Sequence, residues 1–292
     1  MKKILFAFTL LCTFIGNAQE RAIQDIEKIK KDHAEKPDGW KKGGNISFLF
    51  NQSAFNNEWL AGGTSNFAGN LGLNYDFNYK KGDIVWDTKV IAAYGLTKIK
   101  GAGKTTKSDD RLELNSLFGK KASENWYYSG FLNFKTQMDS GFDKNGNRIS
   151  HFFSPAYLQV GPGMLWKKSD NLNVNFAPAT SRLIFVHKHF TDLAPSFGVL
   201  QGDNTRFEFG ASISAYYKFN VMTNVSVENR LNLYSNYLDK PQNIDVDYQM
   251  NVVMKINKFL SANVSLQAIY DDNSIKAVQV REVFGLGVNY GF

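Results

Sequence analysis

The 292-residue sequence predicts an all-β fold: a single-chain antiparallel transmembrane β-barrel of about twelve strands, preceded by a signal peptide and a short periplasmic arm. Three observations predict it. The chain alternates apolar and polar residues with period two over segments longer than the five or six residues of ordinary globular strands. Twelve such segments follow one another, joined alternately by short turns and longer loops. After residue 18, no apolar run approaches the roughly twenty residues that a membrane helix needs.

Composition agrees and excludes other classes. Aromatic residues make up 14% of the chain (24 Phe, 13 Tyr, 5 Trp), and the charged fraction is 21%. That balance is too aromatic and too weakly charged for a disordered chain. One cysteine, Cys12, and four histidines exclude a disulfide framework and a Cys-rich metal site. No cofactor is expected.

The first element is an export signal. Met1-Lys2-Lys3 is a basic head, Ile4 to Ile15 is apolar, and Gly16-Asn17-Ala18 places small residues where a signal peptidase reads. Cleavage is expected near Ala18/Gln19. Removing Lys2 and Lys3 lowers the net charge from +7 to +5. Neither that charge nor export suits a nucleic-acid partner. Residues 19–42 follow, with Ile23, Ile26 and Ile29 at spacing three among many charges. This arm is expected to be a short periplasmic helix, a lumen plug or disorder, ended by Pro37-Asp38-Gly39.

The barrel is expected over residues 43–292. Its predicted strands are Gly44–Asn51, Phe67–Lys80, Ile84–Lys98, Asp110–Gly119, Trp126–Met138, Pro155–Lys167, Leu172–Val186, Thr205–Phe219, Val225–Ser235, Ile244–Ile256, Leu260–Tyr270 and Val278–Phe292. In the second, Phe67, Leu71, Leu73, Tyr75, Phe77 and Tyr79 oppose Asn70, Asn74, Asp76, Asn78 and Lys80. In the tenth, Ile244, Val246, Tyr248, Met250 and Val252 oppose Asp245, Asp247, Gln249 and Asn251. Turns near 81–83, 120–125, 168–170, 220–224 and 257–259 are short. Loops near 52–65, 99–109, 139–153, 187–204, 236–243 and 271–277 are longer. Short turns on one side and long loops on the other mark an outer-membrane barrel with its short turns in the periplasm. An even strand count puts both termini on that side. The apolar set is free of charge in the best-patterned strands; Glu282, in phase with Phe284, Leu286 and Val288, is the exception. Counting back from the chain end at about 3.3 Å per residue and a tilt of about 45° places it at the outer interface.

The final strand ends on Tyr290 and Phe292, an amphipathic terminus of the kind that outer-membrane assembly machinery recognises. Together with Asn17-Ala18-Gln19, Gly39-Trp40-Lys41-Lys42-Gly43-Gly44 and Phe55-Asn56-Asn57-Glu58-Trp59, the pattern resembles the exported outer-membrane β-barrel families of Bacteroidota, including those of unassigned function. The resemblance implies the outer membrane of a Gram-negative bacterium and supplies no mechanism.

Catalytic motifs fail on chemistry. Gly101-Ala102-Gly103-Lys104-Thr105 lacks the first glycine of a phosphate-binding loop, because residue 98 is lysine, and a strand follows instead of a helix. It reads as a solvated basic loop that contacts lipopolysaccharide phosphates at most electrostatically. His187 and His189, with Asp192, lack the ligand set of a metal site. His151 and Ser154 lack the orienting third group of a lipase-like site, and the aspartate pairs fit a protease only nominally. The chain is not expected to be an enzyme.

The inward face carries the charge. Opposite signs stand two apart on one strand as Asp87/Lys89, Arg111/Glu113, Arg206/Glu208 and Glu228/Arg230. Lys135, Asp245, Asp247, Lys255 and Arg281 complete the lumen-lining candidates, with Asn70, Asn115, Asn133 and Asn263 as neutral lining. Balanced signs predict ion networks that fill and stiffen the interior, not a one-sign selectivity ring. Two function classes follow: an interaction or scaffold subunit of a larger outer-membrane assembly, or a narrow channel for small polar solutes. Expected partners are outer-membrane lipid and lipopolysaccharide, the assembly machinery, and other outer-membrane or periplasmic proteins.

Overall fold

The computed structural model describes residues 38–54, 64–143 and 145–292. The expected signal peptide and residues 19–37 of the expected arm lie outside the described residues. The unit Gly39–Phe292 is built of strands. They are β1 (Gly39–Ser53), β2 (Asn66–Lys81), β3 (Ile84–Ile99), β4 (Thr106–Ser123), β5 (Trp126–Thr136), β6 (Gly141–Phe142) and β7 (Arg148–Ser150). There follow β8 (Ala156–Ser169), β9 (Leu172–Phe185), the short helix α1 (Lys188–Thr191), β10 (Thr205–Met222) and β11 (Val225–Asn236). The last three are β12 (Ile244–Lys255), β13 (Leu260–Asp271) and β14 (Ile275–Gly291).

Twelve of these strands close a barrel in the order β1-β14-β13-β12-β11-β10-β9-β8-β5-β4-β3-β2, every neighbour antiparallel. Each coincides with one strand of the sequence reading. β6 and β7 form a separate hairpin within the long β5–β8 connection. The seam between β1 and β14 pairs Asn45 with Gly291 through Phe50 with Leu286, and Gly44 and Phe292 exchange backbone hydrogen bonds at 2.8 and 3.0 Å. Gly44 is needed there: a Cβ would come within 2.5 Å of the Tyr75 ring and 2.8 Å of the Phe292 ring. Those rings stack 5.6 Å apart because nothing stands between them.

The strands run further than the apolar alternation. β1 starts at Gly39, so residues 39–42 of the expected arm are strand, paired with Phe77–Lys80 of β2. β4 and β14 likewise start at Thr106 and Ile275. The reason is that ladder hydrogen bonds continue into the wet rims, where no apolar face is demanded. The expected 271–277 loop therefore shrinks to a turn at 272–274, in which the Asp271 carboxylate accepts the backbone N–H groups of Asn273 and Ser274 at 3.0 and 3.2 Å.

The faces follow the predicted phase. Along β10, Phe207 is 56% exposed, Glu208 fully buried and Phe209 36% exposed. Trp40, Phe67, Leu71, Trp86, Phe118, Trp126, Phe176, Tyr217, Phe284 and Leu286 stand on the outer wall and are likewise exposed. An apolar patch that circles the molecule far exceeds the few hundred Å² that soluble monomers tolerate. Closure leaves no open sheet edge to hydrocarbon along the paired wall. Glu282 faces outward in phase with Phe284 and is exposed. It stands above the last β1–β14 pair, just below residues 275–280, which are exposed on both faces. Seven strand residues, Ile275–Arg281, separate it from the 272–274 turn.

Candidate functional site

The barrel puts the charges inside, and closure decides which of them meet. Moving round the ring of twelve, β3 and β11 are six strands apart, as are β4 and β12; β5 and β12 are five apart. Residues on these strands face each other across the lumen, and their side chains bridge it.

Three tiers lie along the axis. At the long-loop end, Arg182 on β9 pairs with Asp245 at 2.5 Å, Asp271 at 3.4 Å and Glu208 at 3.5 Å. Its guanidinium is held between the rings of Tyr157 and Tyr234, 5.3 and 5.0 Å from their centroids. Glu208 also takes Arg206 at 2.8 Å, and Arg206 reaches Asp239 at 3.3 Å. Nearby, Arg281 pairs with Asp109. In the middle tier, Lys135 pairs with Asp247 across the lumen, and Arg111 donates to Gln249 at 3.0 Å from the opposite wall while standing 3.8 Å from Glu113. Gln267 donates to Asp247 at 3.0 Å. Toward the short turns, Lys89 contacts Asp76 at 3.4 Å and, across the diameter, Glu228 at 3.9 Å. Arg230 joins Glu228 at 2.5 Å, and Lys167 joins Asp87 at 2.5 Å.

Of the four expected two-apart pairs, Arg111/Glu113, Arg206/Glu208 and Glu228/Arg230 meet. Asp87 and Lys89 take other partners, because Lys167 and Glu228 approach from other strands. Lys255, the last residue of β12, is exposed at the rim instead of joining the lumen network. The neutral lining forms its own contacts: Asn133 donates to Asn115 at 2.5 Å, and Asn263 to Ser261 at 2.7 Å. Sequence reasoning placed Asp76 and Gln249 on the polar face without naming them as lumen-lining candidates, and missed Asp109, Lys167, Arg182, Asp271 and Gln267 as members of the network. Arg182 had a signal: a lone arginine at an inward phase between Thr180 and Ile184.

Between the middle and lower tiers lies a chamber of about 330 Å³, with Asp76, Lys89, Glu113, Asn133, Tyr216 and Arg230 among its walls. Above the upper tier the β9–β10 connection folds inward. Val199 is fully buried against Ile184 and Val186, with Tyr157, Phe190 and Phe197 packed around them. Arg206 donates to the Gly198 carbonyl at 3.0 Å, tying this loop to the network. Part of this connection thus packs into the long-loop mouth, and side chains cross the lumen along its length.

The loop motifs take ordinary places. Residues 101–105 lead directly into β4. His187 caps α1, its ring accepting the His189 N–H at 3.2 Å, and does not share a strand face with His189. The buried Ser154 hydroxyl accepts the His187 backbone N–H at 2.8 Å, and the His151 ring nitrogen Nδ1 contacts the Phe152 carbonyl at 2.6 Å.

This architecture defines a membrane-type closed β-barrel. Residues 50–142 match a family described as a protein of unknown function (DUF3078). No curated protein matches the chain. Among solved structures, an outer membrane channel from Pseudomonas putida F1 is 12% identical; the match covers 88% of this chain and 96% of that one, with a TM-score of 0.39. The translocator domain of the autotransporter NalP from Neisseria meningitidis is 8% identical over 95% and 98% of the two chains, with a TM-score of 0.35. The outer membrane channel DcaP of Acinetobacter baumannii is 9% identical over 87% and 96%, with a TM-score of 0.33. The barrel itself rests on the strand pairing above, not on these likenesses.

Proposed function

We propose that the chain is an outer-membrane barrel, short turns and both barrel termini toward the periplasm, whose lumen is shut by its own side chains. It acts as an interaction or scaffold subunit of a larger outer-membrane assembly. One observation carries this: cross-lumen contacts from nearly opposite strands at two levels, beneath the Arg182 cluster and a folded-in loop. An ion network this interleaved adds little net stability over an apolar core, but it does occupy the bore. The expected export signal, the outward belt and the resemblance to Bacteroidota barrels support the location.

A second reading is favoured by the chamber. Its mixed polar walls suit a small polar solute, and opening the tiers would make it part of a narrow channel. Proteoliposomes decide between them. The scaffold reading expects swelling in small sugars no faster than protein-free vesicles, together with one stable complex of fixed stoichiometry recovered from membranes. Swelling that depends on the protein, without such a complex, would favour the channel.

A further inference from the structure

The short-turn rim carries a pattern that lumen closure does not use. Trp40, Tyr79, Trp86 and Phe118 are direct cross-strand partners on β1, β2, β3 and β4. The Trp40 ring lies 5.1 Å from Tyr79 and 5.9 Å from Trp86. They form one outward row, the kind of aromatic girdle that marks where hydrocarbon ends. One pleat nearer the turns runs a second row, Lys81, Ile84 and Lys120, again direct partners. Lys81 and Lys120 are therefore two interstrand spacings apart, about 10 Å, with an apolar side chain between them.

The pattern continues round the barrel. Lys258 lies 4.8 Å from the Phe259 ring, and Lys168 follows Trp166 in phase. These four lysines are exposed, and none has an ion-pair partner among the described residues. At the other end Lys107 is held by Asp110 at 2.5 Å and Arg206 by Asp239 at 3.3 Å. Lys98 and Lys100 there are exposed with no ion-pair partner among the described residues and serve as the opposite-rim comparison. Asp83 and Glu124 in the short turns offset the collar only in part.

A lysine just beyond an aromatic girdle lays its methylenes on the apolar wall and lifts its ammonium to the headgroup level. Unpaired ammoniums there meet phosphate. We infer that this collar binds the phosphates of anionic phospholipids in the leaflet at the short-turn end, with Lys81 and Lys120 astride Ile84 as its best-formed site. The inference rests on the membrane reading above. It gives the barrel a lipid preference and a second determinant of orientation besides its loops.

The test uses the full-length protein in mixed micelles, with phosphatidylglycerol or phosphatidylethanolamine titrated in and retained lipid counted by native mass spectrometry. The variants are Lys81→Gln with Lys120→Gln, and, at the opposite rim, Lys98→Gln with Lys100→Gln. Heat-modifiable gel mobility verifies that each barrel is folded. Wild type retains phosphatidylglycerol over phosphatidylethanolamine. The collar variant loses that preference at least fivefold, since each lysine near an anionic surface contributes about that factor, and the opposite-rim variant keeps it. An unchanged preference in the collar variant, or an equal loss in the opposite-rim variant, overturns the collar. No preference in wild type does so too and would point to an acidic protein as the occupant. Failure of wild type to insert into vesicles of either lipid would instead overturn the membrane reading, and the collar with it.

Discussion

Replacing Arg182 by methionine should cost about 3 kcal/mol of barrel stability. The variant keeps the length of the side chain and removes the charge that three carboxylates share. Removing one partner of a buried ion pair costs about 3–5 kcal/mol, because the other charge is left without compensation. Glu208 keeps Arg206 at 2.8 Å, and Asp271 keeps the turn N–H groups of Asn273 and Ser274. Asp245 loses its only cation among the described residues, and its side chain is 16% exposed, which places the loss at the low end of that range. Two cation–π contacts go as well. Methionine still packs between Tyr157 and Tyr234, so the steric loss is small. Denaturant unfolding in detergent, followed by tryptophan fluorescence, reads the difference. Adding Asp245→Asn should restore part of the loss, because the uncompensated charge is then gone. A loss under about 1 kcal/mol would refute the reasoning, since only a solvated arginine in an open, watery lumen behaves that way.

Three further outcomes follow from the wall and seam. Val252→Arg, at an outward position in β12, should impair membrane assembly by about 2–4 kcal/mol, whereas Asn251→Arg, facing the lumen, should assemble well; equal insertion of both would mean the faces are exchanged. Gly210→Ala should lower folded yield and midpoint temperature, because its Cβ would lie 1.8 Å from the Ser235 carbonyl oxygen beside a bulge in β10. Wild-type stability in that variant would contradict the register there. Phe292→Ala should slow assembly into outer membranes by removing the stack on Tyr75 and Tyr290, and wild-type kinetics would show that the terminal ring is not part of an assembly signal.

Much of this fold was legible in the sequence because lipid enforces alternation. Phe207, Glu208 and Phe209 can be assigned to faces without coordinates, since a charge on the outer wall is expensive and a phenyl ring there is not. The same logic explains where legibility stops. Gly39–Lys42 and Ile275–Ala277 pair as strands at the rims, where polar residues are tolerated on either face, so period two is too weak there to mark them. Lumen membership follows from phase, which is how Lys135, Asp247 and Glu228 were found. Partnership does not: Lys135 meets Asp247 because five steps round a ring of twelve bring β5 to face β12. No local pattern encodes that distance. Asp87 and Lys89 show the consequence, since sequence proximity pairs them and closure gives each to another strand. The collar lysines were passed over for a different reason. Lys81, Lys120, Lys168 and Lys258 fall in expected short turns that look merely soluble, and only the register brings Lys81 and Lys120 into one row.

The measurement that bears most directly on lumen closure is single-channel recording in planar bilayers, comparing wild type with a variant carrying Lys135→Ala, Asp247→Ala and Arg111→Ala. These substitutions remove the middle tier and take a cation and its carboxylate together, so the Lys135–Asp247 crossing leaves no lone charge behind. Wild type should show no openings across moderate potentials, while the triple variant, folded by heat-modifiable mobility, should show discrete small conductance steps. Steady conductance in wild type equal to that of the variant would mean that the side chains crossing the bore do not close it, and the scaffold reading would give way to an open channel.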